Sequence, residues 1–156
     1  MQSGKLITFE GLDGCGKSTQ LEKAKKWLTL QGYEVIKTQQ PGGTRIGKHI
    51  RNILLNPEHK EIHPESELLL YLSDRIQHLT EIILPAKAEG KIVLCDRFHD
   101  STVAYQGFGR GLNLENIESI ITYSIKPYSP DLTFLLTISP ENIVDRLDQR
   151  KEHSAK

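Results

Sequence analysis

The chain has 156 residues, and its 20 lysines and arginines are balanced by 20 aspartates and glutamates, so its formal net charge is zero. This length suits one domain, and the neutral balance lacks the basic excess typical of nucleic-acid binders. The longest apolar runs are too short to cross a bilayer, and MQSGKLITFE contains no apolar stretch of the secretory-signal kind. Two cysteines, Cys15 and Cys95, form neither a disulfide framework nor a zinc set, so we expect a reducing, cytoplasmic setting.

The predicted elements alternate between strands and helices along the chain. Hydrophobic periodicity predicts strands at 5–9, 33–37, 91–95 and 131–138, and helices at 17–31, 44–55, 64–89, 98–106, 113–125 and from 139 onward. The order β-α-β-α-α-β-α-α-β-α predicts an α/β fold, a parallel sheet with helices on both faces. The continuous apolar runs KIVLC and DLTFLLTI are typical of strands buried on both faces.

Several residues mark where the predicted helices begin and end. Gly32 is a natural stop for the first helix, Thr44 is an N-cap candidate, and Pro64 opens the long helix. Gly107-x-Gly109-x-Gly111 follows no strand, so we interpret it as a flexible connection between two helices. No histidine has metal-ligand spacing with Cys or acidic partners, and we interpret the six as surface or helix-packing residues.

A phosphate-binding loop follows the first strand. The segment GLDGCGKS fits G-x-x-x-x-G-K-[ST], with the required strand before it and helix after it. Backbone N–H groups of such a loop and the N-terminus of its helix bind phosphate oxygens. We predict that Lys17 contacts the β and γ phosphates of ATP and that Ser18 is a Mg²⁺ ligand. The predicted ATP phosphate-binding residues are Gly11, Leu12, Asp13, Gly14, Cys15, Gly16, Lys17, Ser18 and Thr19.

Cys15, Asp96 and Arg97 are further candidates at this end of the sheet, and each has an alternative structural role. Cys15 is interpreted as a small residue filling a tight loop rather than as a reactive thiol. Asp96 and Arg97 follow the buried strand KIVLC, and groups at the carboxyl ends of parallel strands face the ligand crevice. We therefore expect Asp96 to hold Mg²⁺ and Arg97 to grip a phosphoryl group, against the alternative of a surface ion pair.

The class of phosphoryl transfer is narrowed by what the sequence lacks. A GTPase would need a D-x-x-G after a later strand and an N-K-x-D; the only D-x-x-G lies inside the phosphate loop, and N-K-x-D is absent. The length excludes a large motor or helicase. A small kinase therefore remains.

Four motifs together resemble the thymidylate kinase family. They are FEGLDGCGKSTQ, PGGT with a downstream arginine, Y-x-x-x-R, and DRFHDSTVAYQG, and the resemblance runs from about residue 6 to the end. It implies a three-layer P-loop kinase fold that transfers the γ-phosphoryl group of ATP to dTMP with Mg²⁺, giving dTDP and ADP for dTTP synthesis. It also implies a homodimer, for which the helix 64–89 is a candidate contact. The implied dTMP-binding residues are Asp13, Arg51, Tyr71, Arg75, Arg97, Ser101, Tyr105 and Gln106.

The resemblance implies a role for each of these residues that chemistry can check. Arg75 would donate to O4 of thymine, and because a guanidinium never accepts, it would repel the amino group of cytosine. Tyr71, one helical turn earlier, would stack on the base, where the family more often has Phe. The other implied roles are base-edge contacts by Ser101 and Gln106, exclusion of a 2′-hydroxyl by Tyr105, 3′-hydroxyl contact by Asp13, and acceptor-phosphate binding by Arg51 and Arg97.

Purely structural roles for the same residues stay open. Tyr71 could be ordinary core, Arg51 and Arg75 could be solvated helix charges, and Tyr105 with Gln106 could simply end a helix. Two other functions also stay open: a kinase for another nucleoside monophosphate, and a nucleotide-binding module without turnover.

A lid near the end of the sequence is the expected source of the positive charge that stabilises the transition state. The phosphate loop has no arginine, so we expect Arg150, with Arg146 on the same helix face, to supply this charge from a lid that begins at about 146. Before PGGT the family commonly has Arg-Glu, whereas this chain has Gln39-Gln40. We expect residues 1–156 to be a single kinase domain, incomplete at its C-terminus, where a strand and a helix should follow.

Overall fold

The structure is a computed structural model that describes residues 4–125 and 128–139. Within them the strands are β1 (Lys5–Glu10), β2 (Val35–Gln39), β3 (Ile92–Asp96) and β4 (Leu132–Leu135). The α-helices are α1 (Lys17–Leu30), α2 (Arg45–Leu54), α3 (Pro64–His78), α4 (Leu84–Ala88), α5 (His99–Thr102) and α6 (Leu114–Ile125). Two π-helical segments, Leu79–Ile83 and Val103–Gly109, follow α3 and α5.

The four strands form one parallel sheet in the order β2-β3-β1-β4. The predicted α/β class is therefore confirmed, and the sequential order of elements holds through β4. The register pairs Phe9 with Asp96 and Gln39 with Asp96, so the carboxyl ends of β1, β2 and β3 finish level. Side chains from these three strand ends therefore converge at one edge of the sheet.

The central strands pack a core on each face of the sheet. On β3, Val93 and Cys95 join the core beneath α3 and α6, and Ile92 and Leu94 join the core beneath α1. Alternate side chains of a strand point to opposite faces, so an uninterrupted apolar run is what this position requires. The prediction that KIVLC is buried on both faces is confirmed.

The prediction for the last strand is wrong in length and burial. β4 spans only Leu132–Leu135, and all four residues are exposed. The reason is its place in the sheet: among the described residues it pairs with β1 alone and forms an edge. Apolar composition predicts a strand but does not tell an edge from a centre. The second strand is also displaced, to Val35–Gln39 from the predicted 33–37.

The predicted helix 64–89 and the predicted flexible connection at 107–111 both differ in detail from the structure. Pro85 lies in the predicted helix 64–89 and cannot donate a backbone hydrogen bond, and the helix passes through the π-helical segment Leu79–Ile83 just before it. Gly107 and Gly109 do not lie in a loose connection but in the π-helical segment Val103–Gly109. Gly107 is buried there, with the side chain of Leu114 against its Cα.

The predicted helix ends are confirmed where the structure describes them. Thr44 caps α2 by accepting a hydrogen bond from the Gly47 N–H (2.9 Å), Pro64 is the first residue of α3, and Gly32 has a φ of 86° after α1. The helix predicted from 139 onward lies outside the described residues. Within the described part of the chain, no helix is both long and apolar enough to cross a membrane.

Candidate functional site

The phosphate loop joins β1 to α1 through three glycines in left-handed or extended positive-φ conformations. These are Gly11 (φ 135°), Gly14 (φ 85°) and Gly16 (φ 100°), values that other residues adopt only with strain. Lys17 is 6% exposed, and its Nζ donates to the carbonyl oxygens of Gly11 and Leu12, both at 2.9 Å. An ammonium has three donors, so the third stays available to a phosphate oxygen.

The loop opens into a cavity of about 230 Å³ that holds most of the predicted phosphate machinery. Its lining residues are Asp13, Gly14, Gly16, Lys17, Ser18, Gln39, Gln40, Arg51, Asp96 and Arg97. Three further predicted loop residues contribute differently: Leu12 and Thr19 are exposed, and Cys15 is buried. The buried position of Cys15 agrees with its interpretation as a loop-filling residue.

Ser18 and Asp96 bring two oxygen ligands together beside the loop. The Ser18 hydroxyl donates to Oδ2 of Asp96 at 3.3 Å, joining the start of α1 to the end of β3. A hydroxyl and a carboxylate are the hard oxygen donors that Mg²⁺ prefers, and this ion normally keeps waters and substrate phosphates as its other ligands. The donor set therefore fits Mg²⁺. Among residues 4–125 and 128–139 no group of three or more His, Cys, Asp or Glu side chains is placed to hold a metal by itself.

Arg97 crosses from the phosphate loop to the segment after β3. Its guanidinium donates to Asp13 Oδ1 (2.7 Å) and Ser101 Oγ (2.8 Å) and lies 5.3 Å from the ring centre of Tyr105. Its backbone φ is 68°, in the left-handed region that costs an ordinary residue about 1–2 kcal/mol. Backbone strain of this kind is typical of functional positions.

A buried carboxylate that the sequence reasoning missed holds this segment in place. Glu10, at the end of β1, is 2% exposed and accepts hydrogen bonds from the Phe98 N–H and the Ser101 hydroxyl, both at 2.6 Å. It thereby fixes two residues of the segment that directly follows Arg97. The glutamate directly before the glycine-rich loop was the available signal, since a charged residue ending a buried strand needs a partner.

A second cavity, of about 320 Å³, adjoins the phosphate-loop cavity of about 230 Å³ and is the larger cavity of this pair. All eight residues predicted to bind dTMP line it, and these are Asp13, Arg51, Tyr71, Arg75, Arg97, Ser101, Tyr105 and Gln106, together with Gln40, Pro41, Leu55, Asp74, Phe98 and Thr102. The residues come from α2, α3, the phosphate loop and the segment after β3. The structure therefore brings the predicted set together, although their individual roles stay predictions.

Arg75 is fully buried rather than solvated. Nε donates to Gln40 Oε1 (3.0 Å), and Nη2 donates to the Phe98 carbonyl (2.9 Å) and the Thr102 hydroxyl (2.8 Å). Nη1 is also buried but has no hydrogen-bond partner among the described residues. Burial lowers the pKa of Arg75 to about 10, so the side chain is still cationic near neutral pH.

A hydrogen-bond relay behind Arg75 was not predicted. Gln40 accepts from Arg75 and donates from Nε2 to Nδ1 of His78 (3.0 Å), so Nε2 of His78 carries the proton and donates to Thr38 Oγ1 (2.6 Å). Burial, assisted by the charge of Arg75, lowers the pKa of His78 to about 4 and keeps the ring neutral. The helix-packing reading of His78 is correct, but its link to Gln40 spans 38 residues and leaves no pattern in the sequence.

Asp74 is a second buried acid that the sequence reasoning missed. Oδ1 accepts the Gly42 N–H at 2.9 Å, and the side chain lines the larger cavity. Desolvation by burial raises its pKa above the ordinary value. The hydrogen bond ties α3 to the PGGT turn, which explains how that turn is held against the cavity.

Two predicted catalytic residues cannot be placed. Arg146 and Arg150 lie outside the described residues, as does the proposed start of the lid. The transition-state role assigned to them therefore stays a prediction.

The fold and the two cavities define the class of protein. A strand, a glycine-rich phosphate loop and a helix in a parallel sheet, with a carboxylate at the neighbouring strand end, are the features of a P-loop nucleotide phosphotransferase. A second, arginine-lined cavity adjoining the phosphate loop is suited to an acceptor, as in a small kinase.

Comparison with known proteins identifies the family within this class. A family model described as thymidylate kinase matches residues 9–156. The thymidylate kinase of Exiguobacterium sibiricum is 46% identical over 96% of this chain and 75% of its own, and that of Gloeobacter violaceus is 50% identical over 90% of this chain and 66% of its own. The crystal structure of thymidylate kinase from Ehrlichia chaffeensis superposes with a TM-score of 0.81 at 35% identity, covering 98% of this chain and 87% of that one. The chain belongs to the thymidylate kinase family.

Proposed function

We propose that this protein is a thymidylate kinase, which transfers the γ-phosphoryl group of ATP to dTMP and releases ADP and dTDP. The observation that carries the proposal is the junction between the two cavities. Asp13, Gln40, Arg51 and Arg97 line both of them, so a phosphate bound in the loop and an acceptor in the larger cavity meet at two arginines.

In this account the phosphate loop holds the triphosphate of ATP. Backbone N–H groups and Lys17 offset the charge of the β and γ phosphates, and Arg97 with Arg51 holds the acceptor phosphate. No general base is required, because a nucleotide phosphate oxygen is already ionised near neutral pH. Ser18 and Asp96 would hold Mg²⁺, which would supply positive charge next to the phosphates. Arg150 is our candidate for the remaining cation.

The lining of the larger cavity supports a preference for thymine. The buried Nη1 of Arg75 needs an acceptor, and O4 of thymine is one, whereas cytosine presents an amino group at that position. Tyr71 and Tyr105 line this cavity, where Tyr71 would stack on the base and Tyr105, whose ring lies beside Arg97, would restrict the sugar.

Two further parts of the proposal concern assembly and compartment. Leu69 and Ile76 lie seven residues apart on α3 and are 57% and 44% exposed, which supports a dimer contact on this helix. Two unpaired buried cysteines and nucleotide substrates suit a reducing cytoplasm. A Leu69→Glu variant should shift the mass measured by light scattering from dimer to monomer; an unchanged mass would remove α3 from the interface.

The substrate assignment is tested by a coupled ADP-release assay on the full-length protein. ATP and Mg²⁺ are supplied with dTMP, dUMP, dCMP or dGMP, and kcat/KM is measured for each acceptor. We expect the highest value with dTMP. A preference for dCMP or dGMP would favour a kinase for another nucleotide, and ATP binding without ADP formation would favour a non-catalytic binding module.

A further inference from the structure

A charged cluster lies beside the larger cavity, between α3 and the π-helical segment Val103–Gly109. Gln106 is 2% exposed and donates from Nε2 to Oε1 of Glu67 at 2.7 Å. Arg110 closes the cluster, with Nη2 at 2.6 Å from Oε2 and Nε at 3.3 Å from Oε1 of the same carboxylate. Gln106 lines the cavity, whereas Glu67 and Arg110 do not.

The carboxylate allows the Gln106 amide only one orientation. An ionised carboxylate can only accept hydrogen bonds, so the amide must turn its NH₂ towards Glu67. The flipped amide would place its own oxygen against a carboxylate oxygen of Glu67. Two buried acceptors without a donor between them are costly. The side-chain carbonyl oxygen of Gln106 is therefore turned away from Glu67, where it can accept a hydrogen bond.

Glu67 stays ionised although it is buried. Burial by itself raises the pKa of this carboxyl, but the hydrogen bonds from Arg110 and Gln106 outweigh it, and the pKa lies below the ordinary value. Arg110 is itself half-exposed, so the pair needs little desolvation of the arginine. Glu67 thus remains a carboxylate, which can only accept hydrogen bonds, next to Gln106 throughout the neutral range.

The same cavity contains the opposite hydrogen-bonding group. Nη1 of Arg75 is a buried donor without a partner in the described part of the chain, and the Gln106 oxygen is an acceptor. A pyrimidine edge with a carbonyl beside an N–H complements one donor and one acceptor. Cytosine, with an amino group beside an unprotonated ring nitrogen, presents the reverse pattern.

We propose that Glu67, paired with Arg110, is a positioning residue that fixes the Gln106 amide so that the cavity selects pyrimidines bearing N3–H over those with an unprotonated N3. The proposal rests on the proposed function in one respect, that the larger cavity is the site of the acceptor base. Glu67 does not contact the base itself and acts through Gln106.

The test compares Glu67→Gln, Gln106→Ala and the double variant with the wild-type full-length protein. Calorimetry measures Kd for dTMP and for dCMP. Because glutamine both donates and accepts, Glu67→Gln permits either orientation of Gln106, and we expect the ratio of Kd for dCMP to Kd for dTMP to fall about tenfold, the worth of one hydrogen bond. Glu65→Gln, an exposed position on the same helix, is the matched control and should leave the ratio unchanged.

The double variant separates positioning from a merely structural role. In the Gln106→Ala background, Glu67→Gln should change the ratio less than about twofold, because the residue through which it acts is gone. An unchanged ratio in the single variant, or the same tenfold fall in both backgrounds, would overturn the proposal. If Glu67→Gln does not fold, Glu67→Asp replaces it, since it keeps the charge but withdraws it from Gln106. A wild-type protein that binds dTMP selectively but forms no ADP would contradict the proposed function and leave this test intact.

Discussion

Replacing Arg75 by lysine tests the base-reading group while keeping its charge. The guanidinium makes three hydrogen bonds to Gln40, Phe98 and Thr102 and has one buried nitrogen left for the ligand. A lysine ammonium has three donors at a single point and cannot span both the scaffold and the base. A hydrogen bond from a charged group is worth about 1.5–3 kcal/mol, so KM for dTMP should rise roughly 10- to 150-fold.

The same substitution should have a smaller effect on chemistry and a measurable effect on folding. The phosphates bind elsewhere, so kcat should stay within about threefold, whereas lost scaffold bonds of ~1–3 kcal/mol should lower Tm by roughly 3–10 °C. The coupled ADP assay gives both kinetic constants, and Arg45→Lys, at the exposed start of α2, is the control. An unchanged KM for dTMP would refute the base-reading role, and a fall in kcat alone would move Arg75 into the phosphate machinery.

The remaining predictions concern phosphate binding and stability. Lys17→Ala should reduce kcat by about 10²-fold or more, because in the proposed mechanism its charge offsets that of the transferred phosphate; near-normal turnover would contradict this. His78 has a pKa of about 4 instead of 6.5, worth ~3 kcal/mol, so folding stability should be complete above pH 6.5 and fall as the pH drops towards 4. Urea unfolding of His78→Gln should lack that part of the pH dependence, and an equal dependence would disprove the assignment. Asp131 accepts from Lys5, Lys87 and the Leu6 N–H, which outweigh the effect of burial and lower its pKa to about 2. Asp131→Asn should cost about 1 kcal/mol at pH 7, after allowance for solvent screening, and progressively less as the pH falls from 4 to 2; a constant cost would mean that charge is not involved.

The sequence predicts the parts of this site that are local in the chain. The phosphate loop is recognisable because its glycines, Lys17 and Ser18 are consecutive and flanked by a strand and a helix. Asp96 and Arg97 are recognisable because they end a buried strand. In each case the chemistry needs a fixed spacing, and the spacing is visible.

The supporting contacts are not predictable in this way. Gln40 meets His78 across 38 residues, and Glu67 meets Gln106 across 39, so only the packed helices bring them together. Arg75 illustrates the limit: helical spacing places it on a face, but its burial, and a nitrogen that finds no partner among the described residues, depend on where α3 packs. The exposed β4 shows the same limit for the fold, since its edge position among the described strands depends on how the sheet is assembled.

The proposed reaction moves the γ-phosphoryl group of ATP onto dTMP. The most direct measurement supplies γ-³²P-labelled ATP, Mg²⁺ and dTMP to the full-length protein and separates the nucleotides by chromatography. We expect label to appear in dTDP, at a rate that depends on dTMP and falls by about 10²-fold or more in Lys17→Ala. Label released only as inorganic phosphate, or retained in ATP while the nucleotide binds, would contradict it.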